Sequence, residues 1–178
     1  MLRSIWIDQF LKILDQSGPE GKSALDFMRA HRVNVSFHEQ STAARWALGG
    51  HIQLHPRYAD GDPDAAYPLS LIVHEVRHLQ QGFFTALSVY GELEAWQLQF
   101  SFLKTLTGKY HNDPYHDSII RELMSLPLSM DRDALRRARQ LVQDYAGKKY
   151  RIDLLPLFPL KHEIKFRLGI IHKTAKLF

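Results

Sequence analysis

Residues 73–96 read VHEVRHLQQGFFTALSVYGELEAW. If this stretch is helical, His74 and His78 stand four residues apart on one face, one turn above the other. Their imidazole nitrogens then converge on a single point. Glu75 follows His74 directly and lies about 100° further around the axis. It is poorly placed to share a ligand role but can reach a water held at that point. The apolar residues Leu71, Ile72, Val73 and Val76 give such a helix a face to bury. Gly82 supplies a stop, and the start falls between Asp64, a plausible N-cap, and Pro68, which is tolerated only in a first turn. A second long helix is expected over Ala86–Thr107, ended by Gly108, and it carries Glu92 and Glu94.

The chemistry of the pattern is that of a metal site with a built-in base. H-E-x-x-H on a helix offers two zinc ligands and a general base. The chain has no cysteine, so a metal here must use His, Asp or Glu, and thiol nucleophiles and disulfide scaffolds are excluded. Catalytic zinc takes a third protein ligand and keeps one position open. In an antiparallel helical pair turning at Gly82, Glu92 can lie at the height of His78, with Glu94 as the alternative. Tyr90, Tyr110, His111, Tyr115 and His116 are candidate donors to a developing oxyanion, though each is as much at home in a loop or a half-buried position. The competing reading of the whole stretch is a structural helix with ordinary histidines.

Outward from this segment the periodicity changes. Ile5, Ile7, Phe10, Leu11 and Leu14 recur at helical spacing up to Gly18-Pro19, and Ala24–His31 suggests a second short helix. Val33–Phe37 alternates as a strand, Thr42–Leu48 is ambiguous, and HIQLHP at 51–56 alternates again. Pro56 closes that last strand and makes it a candidate edge, able to bind an extended peptide by strand addition. His51 and His55 should point outward from it. After the polar loop at 109–117, a short helix over Tyr115–Met124 ends before Pro127. A charged helix capped by Ser129 or Asp131 follows and stops at Gly147. Residues 148–178 contain LLPLFPL and a basic amphipathic piece, read as a docking helix with a solvated basic face rather than a membrane-binding one. The economical fold class is α+β, helix-rich, in one domain over 1–178, with 148–178 as its candidate C-terminal extension.

Composition agrees with a globular chain: 45% hydrophobic and 24% charged residues over 178 positions suffice for a buried core without staples. The formal charge of +4 comes without a long Lys/Arg run, so nucleic acid is not indicated as a partner. No signal peptide and no bilayer-spanning apolar stretch is read, which makes a cytoplasmic location the expectation, with signal-less secretion left open. Oligomeric state is not legible.

HEVRH (His74–His78) followed by ELEAW (Glu92–Trp96) resembles the active-site core of the gluzincin metallopeptidases. The likeness is to small, minimal bacterial metallopeptidase domains and to ImmA/IrrE-type and Ste24/HtpX-type peptidases. In those families a second motif, E-x-x-A followed by Asp or Asn, gives the third zinc ligand from its first glutamate. The resemblance therefore implies His74, His78 and Glu92 as ligands, Glu75 as the base and Zn2+ as the cofactor. It also implies a minimal zincin-like domain, with a small sheet packed on the active-site helix and a second ligand-bearing helix. Trp96 departs from the pattern, so the support that Asp or Asn gives a ligand must come from another residue. The resemblance covers about thirty residues and names no substrate.

The expected activity is zinc-dependent hydrolysis, with a peptide or protein as substrate. Two alternatives stand beside it. One is a non-enzymatic helical interaction module with a vestigial or absent metal site. The other is a zinc hydrolase of a non-peptide amide.

Overall fold

The computed structural model describes residues 2–59 and 65–169, the side chains of 2–6 and 166 excepted. Eight α-helices and a three-stranded sheet make up the described residues, which agrees with the helix-rich α+β expectation. They fall into two compact units, Met1–Gln80 with Leu98–Tyr110, and Gln81–Gln97 with His111–Phe178.

In the first unit, α1 (Leu2–Gln16) and α2 (Gly18–His31) pack as a pair. The Gly18-Pro19 step was expected to mark an end, with the next helix beginning at Ala24. It does both jobs: Gly18 takes φ 89° and Pro19 sits in the opening turn of α2, where its missing N–H costs nothing. Gly21 is buried at the crossing, and a Cβ there would meet the carbonyl oxygen of Leu14 at 2.6 Å and the Phe102 ring at 3.0 Å. Only a residue without a side chain permits this approach.

The sheet holds β1 (Asn34–Phe37), β2 (Ala44–Ala47) and β3 (His51–Leu54) in the order β1-β3-β2. β3 pairs in parallel with β1 and antiparallel with β2. The segment expected at an edge is therefore the central strand, and it has no free backbone row for a peptide. Pro56 does not contradict this, because it lies beyond the paired residues, in a 3-10 turn over Pro56–Tyr58. The ambiguous stretch at 42–48 supplies β2, one of the two true edges. His51 and His55 are half-buried rather than exposed. Nε2 of His51 shares a hydrogen bond with the Ser36 hydroxyl at 2.8 Å, and Nδ1 of His55 accepts the Arg57 N–H at 3.1 Å.

Alternation puts Ile52 and Leu54 on the inner face of the central strand, both fully buried. They share one core with Phe10, Leu14, Leu25 and Met28 of the first two helices, and with Leu69, Ile72, Val73 and Val76 of α3 (Ala66–Gln81). The small sheet thus packs on the histidine-bearing helix, as expected. Burying such aliphatic side chains contributes about 1.5–3 kcal/mol each. α5 (Val89–Thr107) gives its C-terminal half to this unit. There the fully buried Gln99 amide donates to the Ser70 hydroxyl at 3.2 Å, tying α5 to α3.

The second unit contains α4 (Phe83–Ala86), the first half of α5, α6 (Pro114–Ser125), α7 (Arg132–Ala146) and α8 (Leu160–Arg167). The long helix expected from Ala86 is broken. Ser88 separates α4 from α5 and caps the latter, its hydroxyl accepting the Gly91 N–H at 3.0 Å and donating to the Thr85 carbonyl at 2.6 Å. Asp113 and Asp131 cap α6 and α7. The two helices pack through Ile119, Ile120 and Leu123 against Leu135, Ala138, Leu141 and Val142. Gly147 ends α7 with φ 78°. Asp64 as an N-cap, and the basic piece beyond residue 169, lie outside the described residues. Among the described residues, no helix is long and apolar enough to cross a membrane.

Candidate metal centre

α3 is buried along most of its length, from Pro68 through Val76 and again at His78. A helix that only filled space there would carry aliphatic residues throughout. This one buries His74 at 3% exposure, Glu75 at 6% and His78 at 2%. Polar and ionisable groups leave water at a cost unless something satisfies them. The four-residue spacing turns the two rings to each other, edge to face, with Nε2 of His74 and Nε2 of His78 at 3.0 Å. The His78 ring also lies 6.3 Å from the ring of Trp46 on β2.

Glu92, in the first turn of α5, completes the group. His74, His78 and Glu92 are all buried, and each offers one ligand atom within 4.8 Å of the others. Two nitrogens bound to one zinc at about 2.0–2.1 Å with tetrahedral angles stand about 3.3 Å apart. The histidine pair is close to that spacing. Two imidazoles and a carboxylate are also a donor set that suits a catalytic zinc. The residues present fit a divalent transition metal, and the group is a metal-binding candidate on its geometry alone.

Glu94 has another employment. Its Oε2 accepts from the Gln81 side-chain amide at 2.8 Å, and the same amide donates to the Gly91 carbonyl at 2.9 Å. Gln81, itself part of the second unit, thereby holds the opening of α5. Two positions along a helix turn a side chain by about 200°, which is why only one of the two glutamates joins the histidines.

A residue that sequence reasoning missed touches this group directly. The Tyr150 hydroxyl donates to Oε2 of Glu92 at 2.6 Å. Tyr150 lies in a 3-10 turn, Lys148–Tyr150, just after α7. No periodicity links it to Glu92, and the resemblance did not extend to this part of the chain. The Trp96 ring, which stands where the resemblance led to an Asp or Asn, packs edge-on against Tyr150 at 5.5 Å.

Of the five candidate oxyanion donors, His111, Tyr115 and His116 share one cluster of rings. Tyr90 is half-buried in the first turn of α5, with its N–H donated to the Leu157 carbonyl at 3.1 Å. The Tyr110 ring lies under the Lys104 ammonium at 4.7 Å. Tyr115 is 63% exposed. His111 and His116 belong to a different group with Asp113, their rings 4.9 Å apart and both against Tyr145. Asp113 is held below the usual carboxylate range, first by the His116 backbone N–H at 3.0 Å and then by the His116 ring at 2.6 Å.

Comparison of the chain with protein-family models, curated proteins and solved structures found no match.

Proposed function

We propose that the chain is a zinc-dependent peptidase of the gluzincin type, with His74, His78 and Glu92 as ligands and Glu75 as the general base. The observation that carries this reading is the buried pair of facing imidazoles with the Glu92 carboxylate beside them. Zinc held there would supply a Lewis acid and a water of lowered pKa. Glu75 takes the proton of the attacking water and delivers it to the leaving amine. Its burial keeps bulk water from competing for that proton, and the rigid core beneath Val73 and Val76 holds the residues in register.

A peptide is favoured over another amide by β2. Among the described residues, strand order leaves β2 with one edge unpaired, and the Trp46 ring stands 6.3 Å from that of His78. An extended substrate adding to that edge would meet the ligand-bearing helix.

The test pairs metal analysis with proteolysis. The purified protein should carry about one zinc and cut unfolded protein substrates, with products identified by mass spectrometry. Glu75→Gln should keep the metal and lose the cleavage. A parent protein that takes up no zinc, even when zinc is supplied, would leave α3 a structural helix and point to a binding module instead.

A further inference from the structure

A carboxylate ligand is the loosest member of a two-histidine, one-glutamate set. It turns freely about its last torsion and can offer one oxygen or two. What fixes the ring of a histidine ligand is its second nitrogen; what fixes a carboxylate is a hydrogen bond to the oxygen that does not bind.

We infer that Tyr150 is the positioning residue of the metal centre: its hydroxyl, steadied by Trp96, holds one oxygen of Glu92 so that the other is presented to the ion. The inference rests on the metal reading above and adds to it a role for the segment after α7. The O–H donor stands 2.6 Å from Oε2, a short bond of the charge-assisted kind. Trp96 follows Glu92 by one turn on the same face of α5 and is 5% exposed. Its ring lies between two tyrosines, Tyr150 at 5.5 Å and Tyr145 at 5.4 Å. Glu92 and the ring that steadies its partner are therefore carried by a single helix.

The turn that bears Tyr150 is itself locked. Its N–H donates to the Gly147 carbonyl at 3.1 Å. Arg151 follows in the left-handed region with φ 56° and ψ 29°, a conformation that a non-glycine residue keeps only where its surroundings dictate it. Ile152 next to it is 1% exposed and anchors a second 3-10 turn, Ile152–Leu154. Both turns pack on α7, and Arg139 of α7 donates to the Leu155 carbonyl at 2.5 Å. A backbone held at both ends, with one strained residue between, is suited to aim a side chain rather than to fill space.

Metal-free parent, Tyr150→Phe and Trp96→Phe proteins would be titrated with zinc against a chromophoric chelator. Cobalt(II) absorption spectra would report ligand geometry, and thermal melts would be run in chelator. Tyr150→Phe removes one oxygen and keeps the ring. It should bind zinc about 10–100-fold more weakly, with an altered cobalt spectrum and a metal-free melt lowered by no more than the loss of one hydrogen bond. Trp96→Phe should weaken binding in the same direction by less. Parent-like affinity and an unaltered cobalt spectrum in Tyr150→Phe would overturn the inference while leaving the metal site standing. A lowered metal-free melt with unchanged affinity would also overturn it, making Tyr150 a packing residue. A parent protein without zinc affinity would remove the metal reading and this inference together.

Discussion

Nε2 of His74 and Nε2 of His78 stand 3.0 Å apart in a buried setting. Two imidazole lone pairs facing each other at that distance repel. The arrangement is stable only with a proton between the nitrogens or a cation that both can bind. With Glu92 adjoining, the group could hold such a cation. Replacing either histidine by alanine should abolish stoichiometric zinc, measured by mass spectrometry on the purified, tag-free protein. Parent-level zinc in His78→Ala would remove that residue from the ligand set.

The two glutamates of α5 should separate cleanly. Glu92→Gln keeps the volume and the link to Tyr150 but removes the charge, and should weaken zinc binding by about tenfold or more. Glu94→Gln should bind zinc like the parent, because Glu94 is engaged with Gln81. The reverse order in a chelator competition would move the ligand role to Glu94.

Glu75→Gln should lower turnover by about 10²–10⁴-fold, the range for loss of a general base, at unchanged zinc content. Initial rates on a cleaved peptide, with zinc measured on the same preparation, decide the point. Substantial residual activity would assign the base elsewhere.

Gly91 precedes Glu92, and a Cβ there would be driven into the Thr85 carbonyl. That carbonyl belongs to α4 and already accepts the Ser88 hydroxyl, so it has little room to retreat. Gly91→Ala should destabilise the fold by about 1–3 kcal/mol and loosen zinc as Glu92 shifts. Chemical denaturation and a zinc titration read the two effects. A parent-like result in both would mean that the α4–α5 elbow is softer than its contacts imply.

Acid should act on the second unit through three carboxylates held charged in the folded state. Asp113 is kept low by the His116 N–H and ring, Asp117 by Arg121, and Glu122 by the two-pronged grip of Arg137 at 2.5 and 2.6 Å. A folded value below the unfolded one stabilises fully above the ordinary carboxylate range. That contribution is lost as pH falls through the lowered folded value. Stability should therefore decline on the acid side, and Glu122→Gln should flatten the decline in denaturation midpoints measured against pH. An acid limb identical to the parent's would mean that this exposed pair adds nothing.

What could be read in advance was what local spacing controls. The bounds of α3, the glycine stops at 82, 108 and 147, a cap at Ser129 or Asp131 (the structure takes the latter) and the facing histidines all follow from residues within a few positions of one another. Strand order did not, because an alternating segment looks the same at an edge or in the centre, and only its partners decide. The break before α5 was hidden because Ser88 is apt both as a helix interior residue and as a cap, and its choice depends on Gly91 and Thr85. Tyr150 was out of reach for a stronger reason. It meets Glu92 across 58 positions, and the chain between them folds into α6 and α7 before returning.

Trp46 near His78 also gives the molecule an optical reporter of its own. Indole emission is sensitive to a charge or a quencher arriving within a few ångströms, so occupancy of the histidine pair should register in the protein's intrinsic fluorescence without any label. Cobalt, which absorbs where indole emits only weakly but quenches efficiently on approach, should dim it more than zinc does, and Trp46→Phe should remove the share of the response that comes from the edge strand. The aromatic residue on the edge strand thus makes filling of the site visible in a cuvette, before any substrate has been found.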